Sequence, residues 1–133
     1  MNKIEHIGIA VKNLSQANNT YAKLLGKPHY KTESVVSEAV ETSFFQVGET
    51  KIELLQATAP ESAIHKFLEK KGEGIHHIAF AVTDIAAEVE RLKAEGFEPI
   101  SKEPKRGADN KWVFFFHPKN THGVLIELCQ EIE

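Results

Sequence analysis

A single cysteine, Cys129, rules out an internal disulfide, so nothing in the chain argues for an oxidising compartment and the cytosol is the expected location. Long hydrophobic runs are missing too. None approaches the roughly 20 apolar residues that a membrane helix needs. The start, Met1-Asn-Lys-Ile-Glu-His6, reads as entry into a strand, so neither a signal nor a transit peptide is expected, and no membrane partner. Positive charge is not in excess: the formal net charge of −3 gives no case for nucleic acid. What is present is the composition of a globular domain, 133 residues with 41% hydrophobic and 26% charged, enough to bury one core.

The chain repeats itself. His6-Ile-Gly-Ile-Ala-Val11 returns as His77-Ile-Ala-Phe-Ala-Val82, with the two histidines 71 residues apart. An apolar residue opening a helical pattern follows each histidine by eight positions, Leu14 and Ile85. A helix-ending glycine comes next, Gly26 and Gly96. Each copy closes on a strand with a glutamate among aliphatics, Lys51-Ile-Glu-Leu-Leu55 and Leu125-Ile-Glu-Leu-Cys129. Self-similarity at a fixed offset points to one domain built from two equivalent halves. Module one spans 1–58, a connector helix 59–72 and module two 73–133 of a single domain.

In order, residues 3–11 alternate as a half-buried strand. Asn13 caps a helix with Leu14, Ala17, Tyr21 and Leu24 on its apolar face. Strands are expected at 30–36, at 40–47 and around Glu53, giving β-α-β-β-β. The connector helix starts at Pro60-Glu61-Ser62 and ends at Gly72. The second half repeats the order: strand 75–82, a helix capped by Asp84, a short strand near Glu98–Ser101, a loop from Lys102 to Asn110, then strands Trp112–Phe116 and Val124–Leu128.

Side chains alternate across a strand, so a duplicated fold that points His6 and Glu53 inward does the same for His77 and Glu127. Imidazole and carboxylate together suit a divalent first-row ion such as Co²⁺, Mn²⁺, Zn²⁺ or Fe²⁺, and four protein ligands leave two octahedral positions open. A lone strand histidine is usually structural and a lone strand glutamate usually solvated. Recurrence of both types in register within a duplication favours the metal reading. His76 points to the opposite face, and His29, His65 and His117 lack a repeat partner. Cys129 reads as a small buried residue, since no His-Asp partnership accompanies it. The aromatic run at 112–116 reads as core and cavity wall. Residues 101–120 carry five Lys/Arg against Glu103 and Asp109. That charge beside a cavity suits an anionic ligand, phosphate included.

The paired halves with His…Glu…His…Glu resemble the vicinal-oxygen-chelate superfamily, which includes glyoxalase I and extradiol dioxygenases, and within it the methylmalonyl-CoA epimerases. The resemblance rests on His6-Ile-Gly-Ile-Ala-Val11, Thr50-Lys-Ile-Glu-Leu-Leu55, Gly74-Ile-His-His-Ile-Ala79, Glu103-Pro-Lys105, His117-Pro-Lys119 and Gly123-Val-Leu-Ile-Glu-Leu128. It implies an α+β fold, two tandem βαβββ modules forming a curved mixed sheet around a metal site. It implies metal ligands at His6, His77 and Glu127, with Glu53 where family members have Gln or Glu. The ion is often Co²⁺, with Mn²⁺, Zn²⁺ or Ni²⁺ as alternatives. The implied activity is interconversion of (R)- and (S)-methylmalonyl-CoA in propionate metabolism, by a homodimer. Inversion needs acid/base groups on both faces of the carbon. Glu127 is the choice for one, and Glu41 approximates the family's second catalytic glutamate. Lys105, Arg106 and Lys119 are the expected contacts to the phosphates of the acyl-CoA substrate. The chain has His122-Gly123 where relatives commonly have Gly-Gly. Another metal enzyme of the superfamily, lactoylglutathione lyase-like or a dioxygenase, would share the ligand set with a different 101–120 loop. A metal-free binding protein of this fold normally lacks the ligands.

Overall fold

The computed structural model describes residues 1–133. It divides into two compact units, His6–His76 and Met1–Glu5 with His77–Glu133. No helix is long and apolar enough to cross a membrane.

The first unit is built on strands β1 (Lys3–Ala10), β2 (Lys31–Val35), β3 (Val40–Val47) and β4 (Thr50–Ala57), with helices α1 (Leu14–Leu25) and α2 (Ala63–Lys71). Its strands run β2-β3-β4-β1. β1 and β4 are parallel, which is possible because α1, β2 and β3 intervene and give the chain room to cross over. The β2–β3 and β3–β4 pairs are antiparallel. Asn13 opens α1 by accepting from the Gln16 amide at 3.0 Å, and Gly26 closes it with φ +78°, a conformation a Cβ would strain. Leu14, Ala17, Tyr21 and Leu25 pack on Val11, Phe45 and Leu54. Burying a side chain such as Phe45 or Leu54 contributes roughly 1.5–3 kcal/mol. Ser62 caps α2, whose Ile64, Phe67 and Leu68 pack on Ala10, Val40 and Leu55.

The second unit carries β5 (Gly74–Ala81), α3 (Ile85–Ala94), β6 (Lys105–Gly107), β7 (Lys111–Phe116) and β8 (Leu125–Glu131), ordered β5-β8-β7-β6. Here too the first and last strands are parallel and the others antiparallel. Asp84 accepts from the Ala87 amide at 3.1 Å, and α3 lays Ile85, Val89 and Leu92 on Val82, Phe114, Phe116 and Leu128.

One expectation fails in this half. The strand anticipated near Glu98–Ser101 is reduced to a single bridge between Pro99 and Phe116, because proline has no N–H to extend a ladder. The third strand is instead β6, inside the stretch anticipated as a loop. It hydrogen-bonds to β7 across a tight turn in which Asp109 and Asn110 take φ +60° and +54°. Those residue types tolerate the left-handed region. Gly107 is needed for a different reason: a Cβ there would sit 2.9 Å from Cγ1 of buried Val113.

The duplication reaches down to single hydrogen bonds. The Val11 amide donates to the Leu55 carbonyl at 2.9 Å, and the Val82 amide to the Cys129 carbonyl at 2.8 Å. The Leu14 amide donates to Gln56 Oε1 at 2.6 Å, and the Ile85 amide to Gln130 Oε1 at 2.8 Å. In each half a glutamine on the last strand therefore satisfies an orphan amide at the start of the helix.

Candidate functional site

In the first unit, the parallel register sets His6 opposite Lys51 and Gly8 opposite Glu53. His6 and Glu53 lie two residues apart in that register and so share one face of the sheet. His6 Nδ1 lies 3.0 Å from Glu53 Oε2. Phe44, Thr42 and Lys31 share this face, and the Lys31 ammonium stands 4.6 Å from the centre of the Phe44 ring. The opposite face is the one under α1.

In the second unit, Ala79 stands opposite Glu127, which puts His77 and Glu127 on a common face, away from α3. His77 Nε2 lies 3.0 Å from Glu127 Oε1. None of the four side-chain-bearing residues is more than 5% exposed. Burying a carboxylate this deeply is costly unless donors surround it. For Glu127 a second donor is visible: the Cys129 thiol donates to Oε2 at 3.0 Å. Phe115 is the cross-strand neighbour of Glu127, and its ring meets His77 edge-on, with centroids 6.1 Å apart and planes at 82°. That contact restricts rotation of the imidazole and supplies an apolar wall beside the carboxylate.

The other expected site residues are not all brought to these faces. Glu41 is opposite Gln56 in the β3–β4 ladder, an odd number of residues from the Phe44–Glu53 pair. Alternation therefore places it on the α1 side, across the sheet from Glu53. Lys105 is opposite Val113, and Val113 opposite Cys129, so Lys105 lies on the Glu127 face. Arg106 lies on the other face, its guanidinium 5.4 Å from the centre of the Trp112 ring. Lys119 belongs to the 3-10 turn Pro118–Thr121 and contacts Glu98 Oε1 at 2.6 Å. That hydrogen bond holds the Glu98 carboxyl below its ordinary value.

Sequence reasoning passed over Cys129 as a donor and Lys111 as a buried charge. Lys111 Nζ lies 3.2 Å from Glu131 and 4.0 Å from Glu5, at the edge of a cavity of about 310 Å³ that Cys129 also lines. Alternation in β7 and β8 was the available signal, since it places Lys111, Val113 and Phe115 on the same side as Glu127 and Cys129.

The sequence pattern of the Glyoxalase/Bleomycin resistance protein/Dioxygenase superfamily matches residues 5–116. An ethylmalonyl-CoA/methylmalonyl-CoA epimerase of Cereibacter sphaeroides is 41% identical over 130 residues, covering 96% of this chain and 97% of that protein. The chain belongs to the methylmalonyl-CoA epimerase family. Human mitochondrial methylmalonyl-CoA epimerase is 38% identical over 131 residues, covering 98% of this chain and 74% of the human protein. A methylmalonyl-CoA epimerase solved in complex with methylmalonyl-CoA and NH4⁺ superposes with a TM-score of 0.93 at 34% identity, covering 98% of this chain and 95% of that one. The fold is thus that of the glyoxalase superfamily, and the epimerases with which the chain belongs are isomerases.

Proposed function

We propose that this chain epimerises (R)- and (S)-methylmalonyl-CoA by removing the α-proton to give an enolate and returning a proton to the other face. The observation that carries the reading is the pair of buried histidine–glutamate contacts, each 3.0 Å, at equivalent places in the two halves of an epimerase-family chain. The α-carbon of this substrate lies between a thioester carbonyl and a carboxylate, so its proton is acidic enough for a carboxylate base once the enolate is stabilised.

Two imidazoles and two carboxylates make a donor set that matches a divalent cation in charge and in ligand type. In this proposal His6, Glu53, His77 and Glu127 hold one such ion, with Co²⁺ first among Co²⁺, Mn²⁺, Zn²⁺ and Ni²⁺. When bound, the ion supplies Lewis-acid stabilisation of the negative charge that develops on the substrate oxygens. Glu127 accepts the α-proton at Oε2, the oxygen that the Cys129 thiol also contacts. Phe115 and Val113 keep water from the face on which this happens. By the β3–β4 register Glu41 lies across the sheet from Glu53, so in this proposal another residue is the second acid/base group. The chain acts as one domain, as a homodimer, in the cytosol.

The test is to incubate the purified protein with one methylmalonyl-CoA epimer in deuterated water. The opposite epimer should appear carrying deuterium at the α-carbon. Absence of both inversion and α-deuteration would remove the assignment.

Lys105 is the expected contact to a CoA phosphate, because it lies on the Glu127 face by register, whereas Arg106 lies on the other face and Lys119 is engaged by Glu98. Charge-assisted hydrogen bonds of this kind are worth about 1.5–3 kcal/mol. Lys105→Glu should therefore raise KM by at least roughly tenfold with little change in kcat. Lys119→Ala, which opens only the Glu98 contact, should leave KM near the parent value. Equal KM values for the Lys105 variant and the parent would place the phosphates elsewhere.

A further inference from the structure

The two halves match at the histidine, the glutamate and the phenylalanine paired with that glutamate, and they differ at the position two residues after the glutamate. Glu53-Leu54-Leu55 in β4 corresponds to Glu127-Leu128-Cys129 in β8, through the shared hydrogen bonds of Leu55 and Cys129 to the residues that precede the helices. Leu55 packs with Ala10, Val40 and Ile64 and offers no donor. Cys129 packs with Ala79, Val113 and Phe115, is 1% exposed, and turns its thiol onto Glu127 Oε2 at 3.0 Å. An aliphatic side chain would satisfy the packing there as it does in the first half.

We propose that Cys129 is a positioning residue: its thiol fixes the plane of the Glu127 carboxylate so that Oε1 faces the ion-binding position next to His77 Nε2. This rests on the metal reading given under Proposed function. A glutamate has three side-chain torsions to restrict before its carboxylate can act as a ligand, and a hydrogen bond to its outer oxygen limits the last of them beforehand. With Oε2 held by sulfur and Oε1 beside His77, only one oxygen is presented to the ion. The chemistry requires a hydrogen-bond donor of small size at 129, not sulfur as such, and no covalent or redox step is involved.

The experiment measures Co²⁺ affinity of the metal-free protein by competition with a chelator, together with the visible absorption of the bound ion. Parent, Cys129→Ala and Cys129→Ser are compared, each checked for an unchanged fold by circular dichroism in the metal-free state. Loss of an outer hydrogen-bond partner typically costs about 10–100-fold in metal affinity. Cys129→Ala should show that loss and an altered absorption spectrum, and Cys129→Ser, which keeps a donor, should recover most of both. If the alanine variant does not fold, Cys129→Val fills the space without a donor and must show the same weakening. Parent-like affinity in the alanine or valine variant overturns the proposal, as does a serine variant as weak as alanine. A parent protein that binds no Co²⁺ is a distinguishable result, since it removes the metal reading and this inference with it.

Discussion

Glu127→Gln is expected to lower epimerisation by roughly a hundred- to ten-thousand-fold, the range in which loss of a general base falls. The substitution is nearly isosteric, and the amide oxygen can still accept a hydrogen bond where Oε1 or Oε2 did. What it cannot do is take up the α-proton. Because the substitution leaves the proposed CoA contact at Lys105 untouched, KM should change much less than kcat. Steady-state rates with each epimer check this, and a fall of less than tenfold would show that Glu127 is not the base. Glu41→Gln serves as the matched control. Its side chain is on the α1 side of β3, opposite the Glu53 face, so it should epimerise at the parent rate.

His77→Ala should abolish metal binding and, with it, activity. The variant loses one of four proposed ligands and also the imidazole nitrogen that lies 3.0 Å from Glu127 Oε1. A buried carboxylate that loses a charged or hydrogen-bonded partner costs about 1–3 kcal/mol. The metal-free variant should therefore melt below the metal-free parent, with the remaining thiol contact limiting the loss. Elemental analysis after gel filtration should find less than stoichiometric metal, while the parent retains one ion per chain. Full occupancy in the variant would exclude His77 as a ligand. Phe115 should keep the second unit folded in this variant, since it packs on Ala79, Val113 and Cys129 independently of the imidazole.

The sequence carried the strands and helices because their periods and caps are local. Asn13, Gly26 and Asp84 act within a few residues of themselves, and each does in the fold what its residue type suggests. It carried the histidine and glutamate positions because a duplication repeats a pattern that chance would not. It did not carry β6, since three residues with two charges and a glycine have no alternation to detect, and only the ladder to β7 makes them a strand. The face of Glu41 needed register, which depends on the pairing of β3 with β4 rather than on the sequence of β3 alone. The engagement of Lys119 by Glu98 joins residues 21 apart through a turn, and its only trace in the sequence was two opposite charges. Cys129 reads from sequence as a small buried residue, and its hydrogen bond to Glu127 emerges only because alternation in β8 turns both side chains to one face.

The glutamine contacts to Leu14 and Ile85 have a consequence for how such a chain tolerates change. Each ties the strand that bears the glutamate to the helix that follows the histidine strand, three residues after the one and eight after the other. Histidine strand, helix start and glutamate strand therefore form a closed frame, and the chain between helix end and last strand lies outside it. The second half inserts three more residues between its histidine and its glutamate than the first half does, 50 against 47, yet both histidine–glutamate distances are 3.0 Å. The intervening hairpin can lengthen, shorten or change charge without moving the proposed ligands.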